Sequence, residues 1–190
     1  MANTVPLYYQ TLVERQAFGV RVPAAALQSI SPIFTVALLP LLSARWARQA
    51  RSGTEQSAAT KLAIGAALQG CAWLLFAATA VRCAPDAKGS LGWPILANLL
   101  YTVGHMHIGP VGLSLATRCA PPGSQSSAVG IWFLFGGLAG PLAGSLGAFY
   151  SLWTPSSFFA ALGALALSDA LVVLALVPRL ERTARAHDLE

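Results

Sequence analysis

Residues 98–114, NLLYTVGHMHIGPVGLS, are apolar enough to lie in a bilayer, yet they carry an asparagine, two histidines and a proline. On a helix of about 3.6 residues per turn, Asn98, Thr102, His105 and Gly109 stand at i, i+4, i+7 and i+11 and align along one face. His107 falls roughly 200° round from His105 and shares its side with Leu96, Leu100, Val103 and Val111. The spacing predicts a membrane helix with one histidine on a polar stripe and the other on an apolar one.

The rest of the chain has a matching composition. Of its 190 residues, 55% are hydrophobic and 10% charged, the proportions of a membrane protein. The net charge of +5 lies between apolar blocks and is not gathered on one face, which reads as a topology signal and excludes nucleic acid as an expected partner. MANTVPLYYQ has no basic region before an apolar run, so it does not read as a secretory leader. Cys71, Cys83 and Cys119 form neither a CxxC pair nor an even set and are assigned to apolar packing. His105, Met106 and His107 have metal-ligand chemistry, but consecutive helical positions spread around the cylinder, so no metal is expected. With no nucleophile, paired carboxylate or metal set in the sequence, neither catalytic residues nor a cofactor are expected.

Apolar windows long enough to cross about 30 Å of hydrocarbon lie at about 22–42, 62–81, 93–117, 128–153 and 158–178. They predict an all-α, polytopic helical membrane protein with five transmembrane helices. Residues 1–21 form an extracytoplasmic N-terminal segment, too short to cross and read as a remnant of a preceding helix; 22–178 form the membrane domain and 179–190 a cytoplasmic tail. In the first span Pro23 suits an opening turn, while Pro32 and Pro40 predict a kink or local break. Gln28, Ser31 and Thr35 give that span a polar stripe, read as bonding to a neighbouring helix. Gly136, Gly140 and Gly144 in the fourth span make a small-xxx-small ladder that predicts close backbone approach. Asp169, mid-way along the last span, is expected to be protonated and bonded to an adjacent helix. In the basic linker that includes Arg48, the arginines are assigned to topology and lipid headgroups.

Orientation follows from counting. With the N-terminus outside, the inner segments hold Arg45, Arg48, Arg51, Lys61, Arg118, Arg179, Arg182 and Arg185, and the outer ones keep Arg15, Arg21, Arg82 and Lys88. The positive-inside rule then places the chain in the plasma (inner) membrane with its C-terminus in the cytoplasm, in contact with membrane lipids. Five spans beginning outside without a leader predict a fragment of a longer protein.

IGPVGLSLATRCAPPGSQSSAVGIWFLFGGLAG, residues 108–140, resembles the tenth and eleventh helices of the proton-dependent oligopeptide transporters, with their SPVGLS motif, APxxxQS-type loop and G-x-W-F helix. VPAAALQSISPIFTVALLPLL, residues 22–42, resembles the family's eighth helix, IPA-x-x-x-QS-x-NP-x-F. The charged loop ending at Lys61 and the following AIGAAL are similar to the entry into the ninth. The resemblance covers roughly residues 18–178 and places the chain in the major facilitator superfamily, whose members carry twelve helices in two bundles with substrate near midplane.

The resemblance implies a partial C-terminal bundle, helices eight to twelve, of a proton-coupled di- or tripeptide symporter. Such a chain would not be competent alone, and a missing N-terminal transporter half would be its partner. It implies Ser31, His105, Gly109 and Trp132 as substrate-binding positions. His105 stands where the family has a glutamate, Gly109 where it has a serine and Ser31 where it has an asparagine, while Trp132 keeps the tryptophan. His105 is also the proton-coupling candidate, since histidine titrates near neutrality; the expected partners in an intact parent are a small peptide and protons. A neutral imidazole offers one acceptor to a peptide ammonium and a protonated one repels it, so recognition by the family's usual amine anchor is not expected. The alternative is a non-transporting membrane interaction protein, derived from a truncated or split transporter, that docks through the Gly136–Gly140–Gly144 face.

Overall fold

The computed structural model of the chain describes residues 4–14, 16–17, 20–23, 26–27, 29–83 and 89–187, without the side chains of 16–17, 20–21 and 180–187. Arg15, Gln28, Pro85 and Lys88, and the side chains of Arg21, Arg182 and Arg185, lie outside the described residues. Helix α1 (Thr4–Leu12) is followed by two-residue strands β1 (Gln16–Ala17) and β2 (Val20–Arg21), paired antiparallel. Five long helices come next: α2 (Ile30–Arg51), α3 (Ala58–Arg82), α4 (Gly92–Arg118), α5 (Gln125–Ala148) and α6 (Pro155–His187), with a 3-10 turn at Phe149–Ser151.

Four segments, Ile30–Arg51, Ala58–Arg82, Gln125–Ser151 and Pro155–Arg179, are long and apolar enough to cross a membrane. The fifth helix, α4, has the length, 27 residues. Its asparagine, threonine and two histidines lower its hydropathy below that of the other four. The polar residues are tolerated because Asn98, Thr102 and His107 are buried against neighbouring helices.

Helix α2 takes in most of the window at 22–42 and runs on past Leu42. Because α2 begins at Ile30, Pro32 sits in its first turn, where no N–H is needed, and the helix runs through Pro40 without interruption. It continues past Leu42 through the basic segment, and Arg48 and Arg51 in its last turn complement the negative end of the helix dipole.

Helix α3 is the centre of the bundle, and small residues put it there. Alanines at 59, 63, 66, 72, 77 and 80 and glycines at 65 and 70 are buried along it, from its first turn to its last. A Cβ added at Gly65 would stand 2.8 Å from the carbonyl oxygen of Gly104 on α4, and one at Gly104 would stand 2.6 Å from that of Gly65. On the other flank, a Cβ at Gly70 would meet the backbone nitrogen of Leu167 at 3.2 Å, and one at Gly163 the carbonyl oxygen of Gly70 at 3.2 Å. Two glycine seams therefore bring α4 and α6 into backbone contact with α3. Ser57 caps α3 by accepting from the N–H of Thr60 at 3.2 Å.

The glycine ladder of α5 behaves differently. A Cβ at Gly136, Gly140 or Gly144 would find nothing within 4 Å, and α5 has no buried residue. Its close approach is thus not made among the described residues. Asp169 is exposed on α6 and bonded to no described residue, contrary to the expected cross-helix bond, because the α3-facing side of α6 is taken by Gly163 and Leu167.

Helix α1 belongs to the core. Tyr8, Phe76 of α3 and Phe159 of α6 are fully buried, with Tyr8 edge-on to Phe159 at 5.4 Å and to Phe76 at 5.7 Å. Trp73 stacks on Phe159 at 5.8 Å. These are the tilted and offset geometries that aromatic quadrupoles favour. The hydroxyl of Thr79 donates to the carbonyl of Phe76, so Tyr8 donates to Thr79, at 2.7 Å. The end of α1 is clamped to the α3–α4 connector: Glu14 N–H donates to Gly89 O at 2.9 Å and Gly89 N–H to Leu12 O at 3.0 Å.

Removing the hydroxyl alone, in Tyr8→Phe, should cost about 1 kcal/mol, whereas Tyr8→Ala should cost about 3–5 kcal/mol by leaving a cavity between three helices. Thermal unfolding in detergent checks both; equal small shifts would show that α1 is peripheral. In the α2–α3 loop, Glu55 is held below the ordinary carboxylate range, first by the hydrogen bond from Lys61 and then by that ammonium's charge. A depressed carboxyl stabilises above its unfolded pKa and loses that contribution as pH falls through the folded one. The stability difference between the native chain and Glu55→Gln should therefore be constant near neutrality and close below about pH 4, as read by unfolding temperature against pH.

Candidate functional site

Helical phase puts Asn98, Thr102 and His105 on one side of α4, and the α3 seam on its other side turns that stripe toward α1 and α2. The hydroxyl of Thr102 donates to Asn98 O at 2.7 Å. With that proton committed, the Ser31 hydroxyl of α2 donates to Thr102 Oγ1, at 2.6 Å. Asn98 Nδ2 donates to the hydroxyl of Tyr9 on α1, and Thr35 Oγ1 donates to Ser31 O at 2.9 Å. Three helices are joined by this one polar chain.

Beside it lies a cavity of about 430 Å³, within the usual range for small-molecule sites, lined by Tyr9, Ser31, Thr35, Asn98, Tyr101 and His105, with Val5, Pro6, Leu27 and Pro32 as apolar wall. His105 is exposed to it and stacks on Tyr101, planes 7° apart and centroids 6.3 Å apart. The lining offers hydroxyl, amide and imidazole groups and two aromatic faces, with no carboxylate. Such a surface can hydrogen-bond and stack against a neutral or polar ligand, but it presents no anion to an ammonium.

Ser31 and His105 are thus brought together, and Gly109 and Trp132 stand apart from them. Gly109 is half-buried, and a Cβ there would find open space. Trp132 of α5 fills the notch left by Gly112 on α4, where any side chain would collide with its indole ring. It lines a separate crevice of about 390 Å³ with Cys119, Pro121 and Ile131.

His107 lies away from His105, as its phase predicts, but its surroundings are not purely aliphatic. It is buried, its Nδ1 is 2.8 Å from Val103 O, and its ring meets Trp46 of α2 edge-on at 5.3 Å. Lys61 covers the same indole at 5.1 Å and pairs with Glu55 at 2.6 Å. This Glu55–Lys61–Trp46–His107 column is not visible when residues 43–61 are read as a charged linker. A signal existed: SARWARQAR contains no helix breaker, so it can extend α2 and carry Trp46 with it. Tyr9 was also missed, because an aromatic pair in a nine-residue segment does not announce its partner.

Known proteins place this architecture. The POT family (PTR2) matches residues 1–162. The chain is 29% identical over 178 residues to the peptide transporter YePEPT of Yersinia enterocolitica, covering 90% of this chain and 35% of that protein. It is 24% identical over 147 residues to the di-/tripeptide transporter of Lactococcus lactis, covering 77% and 29%. The chain spans about a third of the length of the curated relatives it matches. Its fold superposes on a crystal structure of a peptide transporter POT in complex with sulfate, TM-score 0.85 at 23% identity, over 94% of this chain and 36% of that one. The α3-centred bundle, the match over most of its length and relatives that are peptide transporters agree: this chain is a member of the POT family.

Proposed function

We propose that the chain acts as the C-terminal part of a proton-coupled di- or tripeptide symporter in the inner membrane, N-terminus outside and C-terminus in the cytoplasm. On this reading it contributes one wall of the substrate cavity and needs a second bundle to transport. The carrying observation is the pocket in which Ser31, Asn98, Tyr9, Tyr101 and His105 converge, beside the polar chain that joins α1, α2 and α4. Within the pocket Ser31 and His105 serve as substrate-facing positions, with Gly109 and Trp132 outside it, and His105 is the proton-coupling group, because it is the ionisable side chain among those lining the pocket apart from the two tyrosines.

A second reading is favoured by one observation: α5 presents Gly136, Gly140 and Gly144 with open space above each and exposes Phe133, Phe135, Leu138 and Leu142. In that case the chain is a membrane interaction protein that docks another helix on α5 and transports nothing.

Two uptake assays separate these. The chain alone in vesicles should not accumulate dipeptide under an inward proton gradient; joined to the N-terminal bundle of the Yersinia relative in place of the matching third, it should. In the joined protein His105→Gln should reduce the difference in uptake between about pH 5.5 and about pH 7.5 to less than about twofold. An unchanged pH profile would remove His105 from coupling, and no uptake by a folded joined protein would favour the interaction reading.

A further inference from the structure

We infer that the seam between the basic end of α2, the α2–α3 loop and the C-terminal turns of α4 binds a phosphate-bearing anion, and that an anionic phospholipid headgroup is the ligand its surroundings fit. The site is distinct from the substrate pocket and stands on different residues. Its centre is an open cavity of about 470 Å³ whose walls include Trp46, Lys61 and Glu55 on one side and Ser114 and Arg118 on the other.

Lys61 is the built element. It is 6% exposed, although an ammonium on a flexible stem ordinarily reaches for water. What keeps it in place is the indole of Trp46, 5.1 Å below, itself set by the edge of the buried His107 ring, 5.3 Å away. Glu55 takes one of its three donor positions at 2.6 Å. Arg118 lines the opposite wall, exposed, and forms no ion pair with any described residue. Two cations and one carboxylate leave the cavity one net positive charge. The guanidinium fork and the remaining ammonium protons are the donor set that phosphate oxygens accept from.

The surroundings decide between a lipid and a free ion. Farther along the same two helices lies an apolar crevice of about 190 Å³, lined by Leu38, Leu41, Leu42, Val103 and Met106 together with Arg45. A headgroup seated between Lys61 and Arg118 can lay an acyl chain against that crevice. Trp46 sits between the two openings in sequence, and tryptophan suits the level where headgroup meets hydrocarbon. Basic pockets between membrane helices recognise anionic headgroups by this combination of charge and apolar flank.

The full chain, purified in neutral detergent, is titrated with phosphatidylglycerol and with phosphatidylcholine, and bound lipid is counted by native mass spectrometry. Phosphatidylglycerol should bind at least about fivefold more tightly than the zwitterionic lipid. Arg118→Gln, an exposed change, should remove most of that preference, and Glu55→Gln should increase it by releasing Lys61. Inorganic phosphate as competitor separates the sources: failure of millimolar phosphate to displace the lipid assigns the site to the headgroup, and displacement assigns it to a free anion at the same residues. Equal binding of the two lipids, or shifts of the same sign in Arg118→Gln and Glu55→Gln, would overturn the proposal, with unfolding temperatures confirming that both variants are folded.

Discussion

The backbone contact between Gly65 and Gly104 sets the rest of this structure. Each glycine occupies the space that a methyl group on the other would need, with the carbonyl oxygens standing 2.8 Å and 2.6 Å from the two absent Cβ positions. In a membrane, where apolar surface gains nothing by leaving lipid for protein, such close approach is what makes helices pack. It fixes the rotation of α4 as well as its distance. With Gly104 against α3, helical phase carries Asn98, Thr102 and His105 to the side where α1 and α2 lie, and His107 to the side where Trp46 lies.

That rotation turns a sequence pattern into two sites. On one side, Tyr9, Asn98, Thr102 and Ser31 form a polar chain across three helices and leave a pocket with a histidine and two tyrosines in its wall. On the other, the indole of Trp46, edge-on to the buried imidazole of His107 and covered by the buried ammonium of Lys61, joins the basic end of α2 to α4. Helices α2 and α5, by contrast, bury no residue, while α3 has buried residues from Ala59 to Ala80. The bundle has its core around α3 and open apolar flanks on α2 and α5.

Much of this was legible in the residues. The 3.6-residue period of Asn98, Thr102 and His105 fixed a polar face, and the apolar windows marked the membrane helices, because both signals are local. What the residues alone do not show depends on partners that lie far along the chain. The regular spacing of Gly136, Gly140 and Gly144 suggested packing, yet among the described residues the glycines that bring helix backbones together are Gly65, Gly70, Gly104 and Gly163, which make no ladder in sequence and declare themselves only when their helices cross. Pro32 reads as a helix breaker in sequence, yet it sits in the first turn of α2, where no N–H is needed. Tyr8 and Tyr9 sat in a segment too short to cross the membrane, and only the distant Thr79 and Asn98 show why they are buried.

The central claim, that the Gly65–Gly104 seam orients α4 toward α2, can be read directly from the Ser31–Thr102 contact. In a chain with Cys71, Cys83 and Cys119 replaced by alanine, Ser31→Cys with Thr102→Cys should form a disulfide on mild oxidation, since the native oxygens are 2.6 Å apart. Adding Gly104→Val should abolish that crosslink while the chain remains helical and membrane-inserted. Undiminished crosslinking with valine at position 104 would contradict the account, because the orientation of α4 would then owe nothing to the glycine seam.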